Sequence, residues 1–226
     1  MVLMARGADA LQELADHVRT RGGTADVIPV DLRDTEAAGS AGERVVAVHG
    51  APALLVSNAG HSVHRDVARY TDRFHDVTRL VGVNMLGPIA LALPLLAAMM
   101  RARSGQLVSV GSVGMTLPGP GWSVYTASKA GYDAWLRSVS PELRRAGISA
   151  SSVHLPLTRT AMSSPTYSGT RLPALSPDDA ATWVCRAVVT RQRVVAPWWA
   201  RVGGVLTVGA PTAADRLAGT VWRRTS

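Results

Sequence analysis

A chain of 226 residues suits one domain with a substantial core, and 47% hydrophobic with 18% charged content is globular rather than disordered. A single cysteine, Cys185, excludes an intrachain disulfide and a cysteine-built metal cage, and suits a reducing compartment. The net charge of +8 is spread over arginines with no basic run beyond two residues and no aromatic platform, which argues against nucleic acid and for a phosphate-bearing small ligand, with an anionic membrane surface second.

Met1-Val-Leu-Met-Ala5 reads as a short strand running into Arg6, too brief for the apolar core of a signal peptide, so a cytoplasmic location is expected. Asp9 to Gly22 has helical spacing and stops at Gly22-Gly23. Ala25 to Val30 is a strand closed by Asp31-Leu-Arg-Asp34, and Thr35 to His49 is a helix. Ala53 to Val56 reads as a fully buried strand, ending in Ser57-Asn-Ala-Gly60. Thr71 to Met100 is helical with an expected break near Gly82. Its Leu80–Met100 part is long enough to span a bilayer, but Asn84, Gly87, Pro88 and Pro94 favour a buried helix. Gln106 to Val110 is a strand, Tyr125 to Arg145 a helix and Ile148 to Val153 the next strand. Residues 163–177 form a long binding loop, Ala180–Val189 is a packed helix holding Cys185 as a buried structural thiol, and 197–226 is a tail. Strands alternating with helices predict a single doubly wound α/β domain over 1–226, with a parallel sheet and ligands at the carboxyl ends of the strands.

The chain has 23 arginines and one lysine, Lys129, four residues after Tyr125. On a helix these two stack on one face, so a compact ammonium would stand beside a phenol. That charge is expected to pull the phenol down from its ordinary value and fit it for proton exchange with a carbonyl or alcohol oxygen. Ser112 lies 13 residues before Tyr125, just past a strand, and Asn84 lies 28 before Ser112. His61 and His64 offer two imidazoles with no third ligand at useful spacing, so no metal is expected.

Asn84, Ser112, Tyr125 and Lys129, with the Asn58-Ala59-Gly60 turn, resemble the short-chain dehydrogenase/reductase superfamily from Met1 to about Ala196. Within it, three passages resemble bacterial fatty acyl-CoA reductases that form aldehydes. They are Ser57 to Ser62 with Asp72 to Asp76, Leu155 to Met162 continuing through Pro165-Thr166, and Leu175 to Ala181. The resemblance implies a Rossmann-like fold and a long-chain acyl-CoA reduced to a fatty aldehyde, with hydride from a nicotinamide. It implies that Tyr125 is the acid, Ser112 polarises the carbonyl, Lys129 lowers the phenol pKa and holds the ribose, and Asn84 anchors a water. A cation, Arg6, where NAD users carry an acid implies NADPH. Asp31 and Leu32 would flank the adenine, Asn58, Ala59 and Gly60 the cofactor, and Thr160 the nicotinamide amide. Arg159 would meet a CoA phosphate or merely cap its loop. Pairing through the Leu80–Met100 and Tyr125–Arg145 helices would give a homodimer or homotetramer, and a peripheral membrane contact of the tail stays open.

The resemblance starts at the family's second strand. The family's first strand, glycine-rich turn and first helix are expected to be absent from this chain, leaving two apolar sheet edges unpaired and NADPH binding weak. An internal methionine of a longer reading frame is favoured over a decayed gene as the explanation. Reduction of another ketone or aldehyde, and a non-catalytic fragment that associates with other subunits, are the alternative functions.

Overall fold

The computed structural model describes residues 1–117, 119–167, 169 and 172–225. Two parallel sheet pieces make its centre. The first pairs β1 (Val2–Ala5) with β2 (Asp26–Pro29). The second runs β3 (Leu55–Ser57), β4 (Gly105–Ser112), β5 (Ile148–Leu155), β6 (Val194–Val195) in that order. β1 and β3 share no ladder among the described residues, so each turns an open edge toward the other. Yet their side chains meet: Val2, Met4 and Leu55 pack in one cluster with Ile28, Val45 and Leu95.

Period-two alternation sorts the strands between two helical layers. Leu107, Ile148 and Ala150 face α4 (Gly87–Ala102) and α5 (Ser123–Arg145), where Met99, Leu136 and Leu143 are buried. Val108 and Val153, of opposite parity, face α7 (Pro177–Thr190) through Ala187. α1 (Ala8–Thr20) packs against β1 and β2 with Leu11 and Ala15 buried, and α2 (Thr35–His49), capped by the Asp34 carboxylate on the Ala37 N–H, packs against α4.

The apolar stretch expected to break near Gly82 does not break. α3 (Phe74–Val81) passes through one π-turn, Gly82–Leu86, into α4. This 29-residue helix is long and apolar enough to cross a membrane, but Leu80, Ala92, Leu95 and Met99 are core. Gly87 is required where it stands, because a Cβ there would meet the Leu32 carbonyl.

Two expectations need correcting. β3 is half-exposed rather than fully buried, Val56 at 40%, because nothing described covers its open edge. Cys185 is exposed, since α7 turns Ala180 and Ala187 inward instead. β5 carries polar side chains into the interior: Ser151, Ser152 and His154 are buried, and Ser152 donates to Asp133 of α5 at 2.6 Å.

Residues 158–175 form a loop closed at its neck, where Thr158 bridges Leu175, the Arg159 N–H donates to the Leu175 carbonyl and the Leu175 N–H to the Leu157 carbonyl. It carries the short α6 (Ser164–Tyr167), while Ser168, Thr170 and Arg171 of the expected binding loop lie outside the described residues. The tail is two helices, α8 (Trp198–Gly209) and α9 (Pro211–Thr225), separated at Ala210.

Candidate active site

The carboxyl ends of β1, β3, β4 and β5 bring the expected residues into one region. Ser112 ends β4 in extended conformation, and its Oγ accepts the Gly114 N–H at 3.2 Å, which fixes that oxygen. Tyr125 lies in the first turn of α5, and its phenol meets the Ser112 hydroxyl. Lys129 follows one turn on, buried, with Nζ donating to the Val110 carbonyl at 3.2 Å and the Ala59 carbonyl at 3.4 Å.

Asn84 is buried inside the π-turn and spends its amide on its neighbours. Nδ2 donates to the His61 carbonyl and to Ser128 Oγ, both at 2.9 Å, and Oδ1 accepts the His61 N–H at 2.8 Å. It therefore ties the turn after β3 to α5, with no side-chain N–H left for a water. The π-turn supplies the rotation that aims Asn84 inward, between α3 and the largely apolar buried face of α4. Gly60 completes the junction: a Cβ there would stand 2.8 Å from Lys129 Nζ and 3.1 Å from Asn84 Oδ1.

The electrostatics depart from the expected pattern. Burial pushes the Tyr125 phenol up from its ordinary value, the Ser112 hydrogen bond opposes this, and nearby Tyr167 adds to the rise. The Lys129 ammonium donates to the Val110 and Ala59 carbonyls. Burial pushes Lys129 itself down to about 8. The free protein thus keeps a protonated phenol at neutral pH rather than a phenolate-prone one.

Two cavities flank these groups. One, of about 320 Å³, is lined by Ala5, Arg6, Leu32, Arg33, Ala59, Gly60, His61 and Arg79 among others. Its wall reaches the tetrad where Lys129 holds the Ala59 carbonyl. Arg79 touches His61 Nε2 at 2.8 Å, and burial, then Arg79 and Arg6, push that imidazole down. Asp31 does not line this cavity; Arg33 clasps its carboxylate at 2.9 Å and, through that hydrogen bond, holds it below the usual range. Asn58 is exposed and also off the wall. The other cavity, of about 500 Å³, lies in the 158–175 loop and is lined by Leu157, Arg159, Thr160, Ala161, Tyr167, Leu172 and others. Tyr167 stacks on Trp122 at 6.0 Å, and Trp122 meets Tyr125 edge-on at 5.6 Å. Thr160 is therefore in the second cavity and Arg6 in the first, with Ser112, Tyr125 and Lys129 between. His61 and His64 diverge, His64 lying 4.9 Å from Trp122.

Sequence reasoning missed Arg79, Arg33, Trp122 and Tyr167. Only Arg79 carried a signal, as a cation five residues before Asn84 at the start of the long apolar stretch.

The profile described as short chain dehydrogenase matches residues 1–170. The chain belongs to the short-chain dehydrogenase family of oxidoreductases. Among relatives, a protein of Acinetobacter baylyi named fatty acyl-CoA reductase is 34% identical over 93% of this chain and 72% of its own length. One of Mycobacterium tuberculosis, also named fatty acyl-CoA reductase, is 35% identical over 87% of this chain and 67% of its own. An uncharacterised oxidoreductase of the same species is 33% identical over 96% of this chain, which spans 64% of that relative. A metagenomic short-chain oxidoreductase solved in complex with NADP aligns with a TM-score of 0.72 at 25% identity, over 87% of this chain and 84% of that one. A short-chain dehydrogenase of Sphingobium yanoikuyae solved with NADPH shares the fold, with a TM-score of 0.80 at 22% identity over 95% and 85%.

The residues fit a nicotinamide dinucleotide. Arg6 and Arg79 bring fixed positive charge to the first cavity, the acid that would repel a phosphate is paired with Arg33, and Gly60 lets the backbone of that wall lie directly against Lys129.

Proposed function

We propose that the protein reduces a long-chain acyl thioester to the aldehyde, using NADPH. The observation that carries this is the placement of the Ser112–Tyr125 pair between a cation-lined cavity and a larger one walled by Leu157, Ala161, Leu172 and Ala174. Arg6, at the end of β1, would hold the ribose 2′-phosphate, Lys129 the nicotinamide ribose and Thr160 the nicotinamide amide, with Leu32 against the adenine. Bound there, the cofactor supplies hydride to the carbonyl carbon. Ser112, its Oγ pinned by the Gly114 N–H, donates its own O–H to the carbonyl oxygen and polarises it. Tyr125 holds its proton at neutral pH and delivers it to that oxygen as negative charge develops. The resulting hemithioacetal expels the thiol and leaves the aldehyde, with no acyl-enzyme. Exposed Cys185, on α7, takes no part.

The 158–175 loop is the substrate loop in this reading, its pinned neck fixing the mouth of an acyl channel. Leu86, Leu93 and Met100 are exposed at seven-residue spacing along one side of α3–α4 and would pair with the same stripe of a second copy, giving a homodimer. The cytoplasm suits this chemistry and the free thiol.

The deciding experiment incubates the protein with NADPH and either palmitoyl-CoA, a ketone panel or no carbonyl, and identifies products. Hexadecanal with stoichiometric free CoA is expected. Turnover of ketones alone would move the function to another carbonyl reductase, and no turnover with any carbonyl would support a non-catalytic subunit.

A further inference from the structure

A helix on the surface of a soluble protein buries its large apolar side chains and turns its small or polar ones outward. Helix α8 does the reverse. Ala200, Gly203, Gly204 and Thr207 face inward, while Trp198 (76% exposed), Trp199, Val202, Val205 (73%), Leu206 and Val208 face solvent. The inward face is made of small residues because it seats closely: a Cβ on Gly203 would stand 2.6 Å from Leu117 Cδ2, and one on Gly204 3.2 Å from Thr116 Cβ. Inversion is therefore built into the packing, and the apolar outer arc is what the sequence keeps free. Leu217 of the adjoining α9 is likewise 67% exposed.

Charge selects the occupant. From Trp198 to Thr225 the sequence has four arginines and one acid, Asp215. Arg201 borders the arc and is held by a hydrogen bond to the Val194 carbonyl, and Arg216 is exposed on α9. A second copy presenting the same patch would bring the same excess of cations against it. An anionic lipid surface satisfies both the apolar arc and the arginines, with tryptophans at the level of the headgroups. The segment under α8 also leads along the chain to the candidate site. Thr116 and Leu117, under α8, follow Ser112 closely, and Trp122, a few residues on, stacks on the Tyr167 wall of the larger cavity. We propose that α8 and α9 form a monotopic docking face for an anionic bilayer, which sets the mouth of the substrate cavity against the membrane from which an acyl chain would enter.

The test needs no substrate. The full chain is mixed with vesicles of phosphatidylcholine alone or with added phosphatidylglycerol, and bound protein is measured by co-sedimentation. Val205→Glu combined with Leu206→Glu removes two exposed apolar side chains and adds repulsion, so the fold is untouched and thermal melting stays that of the wild type. Binding to the anionic vesicles is expected to fall by roughly a hundredfold in the double variant, the transfer of two such side chains, and to weaken with added salt in the wild type. Equal sedimentation of wild type and variant, or no wild-type binding to anionic vesicles, overturns the proposal. So does wild-type self-association in lipid-free buffer that the double variant abolishes, which would make this face a contact between copies.

Discussion

Replacing Lys129 with methionine separates what the fold pays for this ammonium from what the site gains. Its ordinary value is 10.5 and its value in the folded protein about 8, the cause being burial. The unfolded chain therefore holds that proton more tightly than the folded one, by an amount equivalent to about 3 kcal/mol at neutral pH. Because the folded value is the lower one, stability rises as pH climbs from about 8 to about 10.5 and is flat below that window. Methionine fills similar volume without the charge, so the variant lacks this slope. It also forfeits the hydrogen bonds to the Val110 and Ala59 carbonyls, together on the order of 2 kcal/mol. The variant is then more stable than the wild type by about 1 kcal/mol at neutral pH and less stable by about 2 kcal/mol above pH 10.5, while reductase activity is lost. Urea unfolding followed by circular dichroism across this range reads the crossing. A wild-type-minus-variant difference that does not change with pH would refute the burial argument.

Arg6→Glu reverses the charge at the end of β1 and should lower the preference for NADPH over NADH by about a hundredfold, as judged from kcat/KM with each cofactor; an unchanged ratio removes Arg6 from the 2′-phosphate. Gly60→Ala drives a methyl against Lys129 Nζ and Asn84 Oδ1. It should cost about 1–3 kcal/mol in stability, visible as a lowered melting temperature, and a larger fraction of activity because Lys129 is the group that must move.

The layout of the fold was legible because its signals are local. Hydrophobic runs bounded by Gly22-Gly23 and Asp31–Asp34 placed β1, α1, β2 and α2 to within a few residues. The spacing of Asn84, Ser112, Tyr125 and Lys129 led to one region because parallel strands end on the same side of the sheet. The open edges of β1 and β3 were expected from the family resemblance rather than from any local pattern, and the described sheet is divided between those two strands. What escaped depends on distant neighbours. The upward push on Tyr125 comes from its burial, and the ammonium expected beside it is bonded instead to the carbonyls of Val110 in β4 and of Ala59 in the turn after β3. Arg79 reaches the first cavity beside His61, from a distant part of the chain, and no local pattern says so. Cys185 was misplaced because Trp183, Val184 and Val188 make α7 apolar on most sides, which hides its inward face from periodicity. The inverted face of α8 likewise shows only once Thr116 and Leu117 are under it.

The central claim is that the Tyr125 phenol gives its proton to a carbonyl that Ser112 polarises. NADPH oxidation with palmitoyl-CoA, followed in parallel for the wild type and Tyr125→Phe, addresses it most directly. The phenylalanine variant keeps the ring and its packing against Trp122 and removes only the acid. A fall in kcat of about a hundredfold to ten-thousandfold with intact folding is predicted, and a variant that turns over at the wild-type rate contradicts the mechanism.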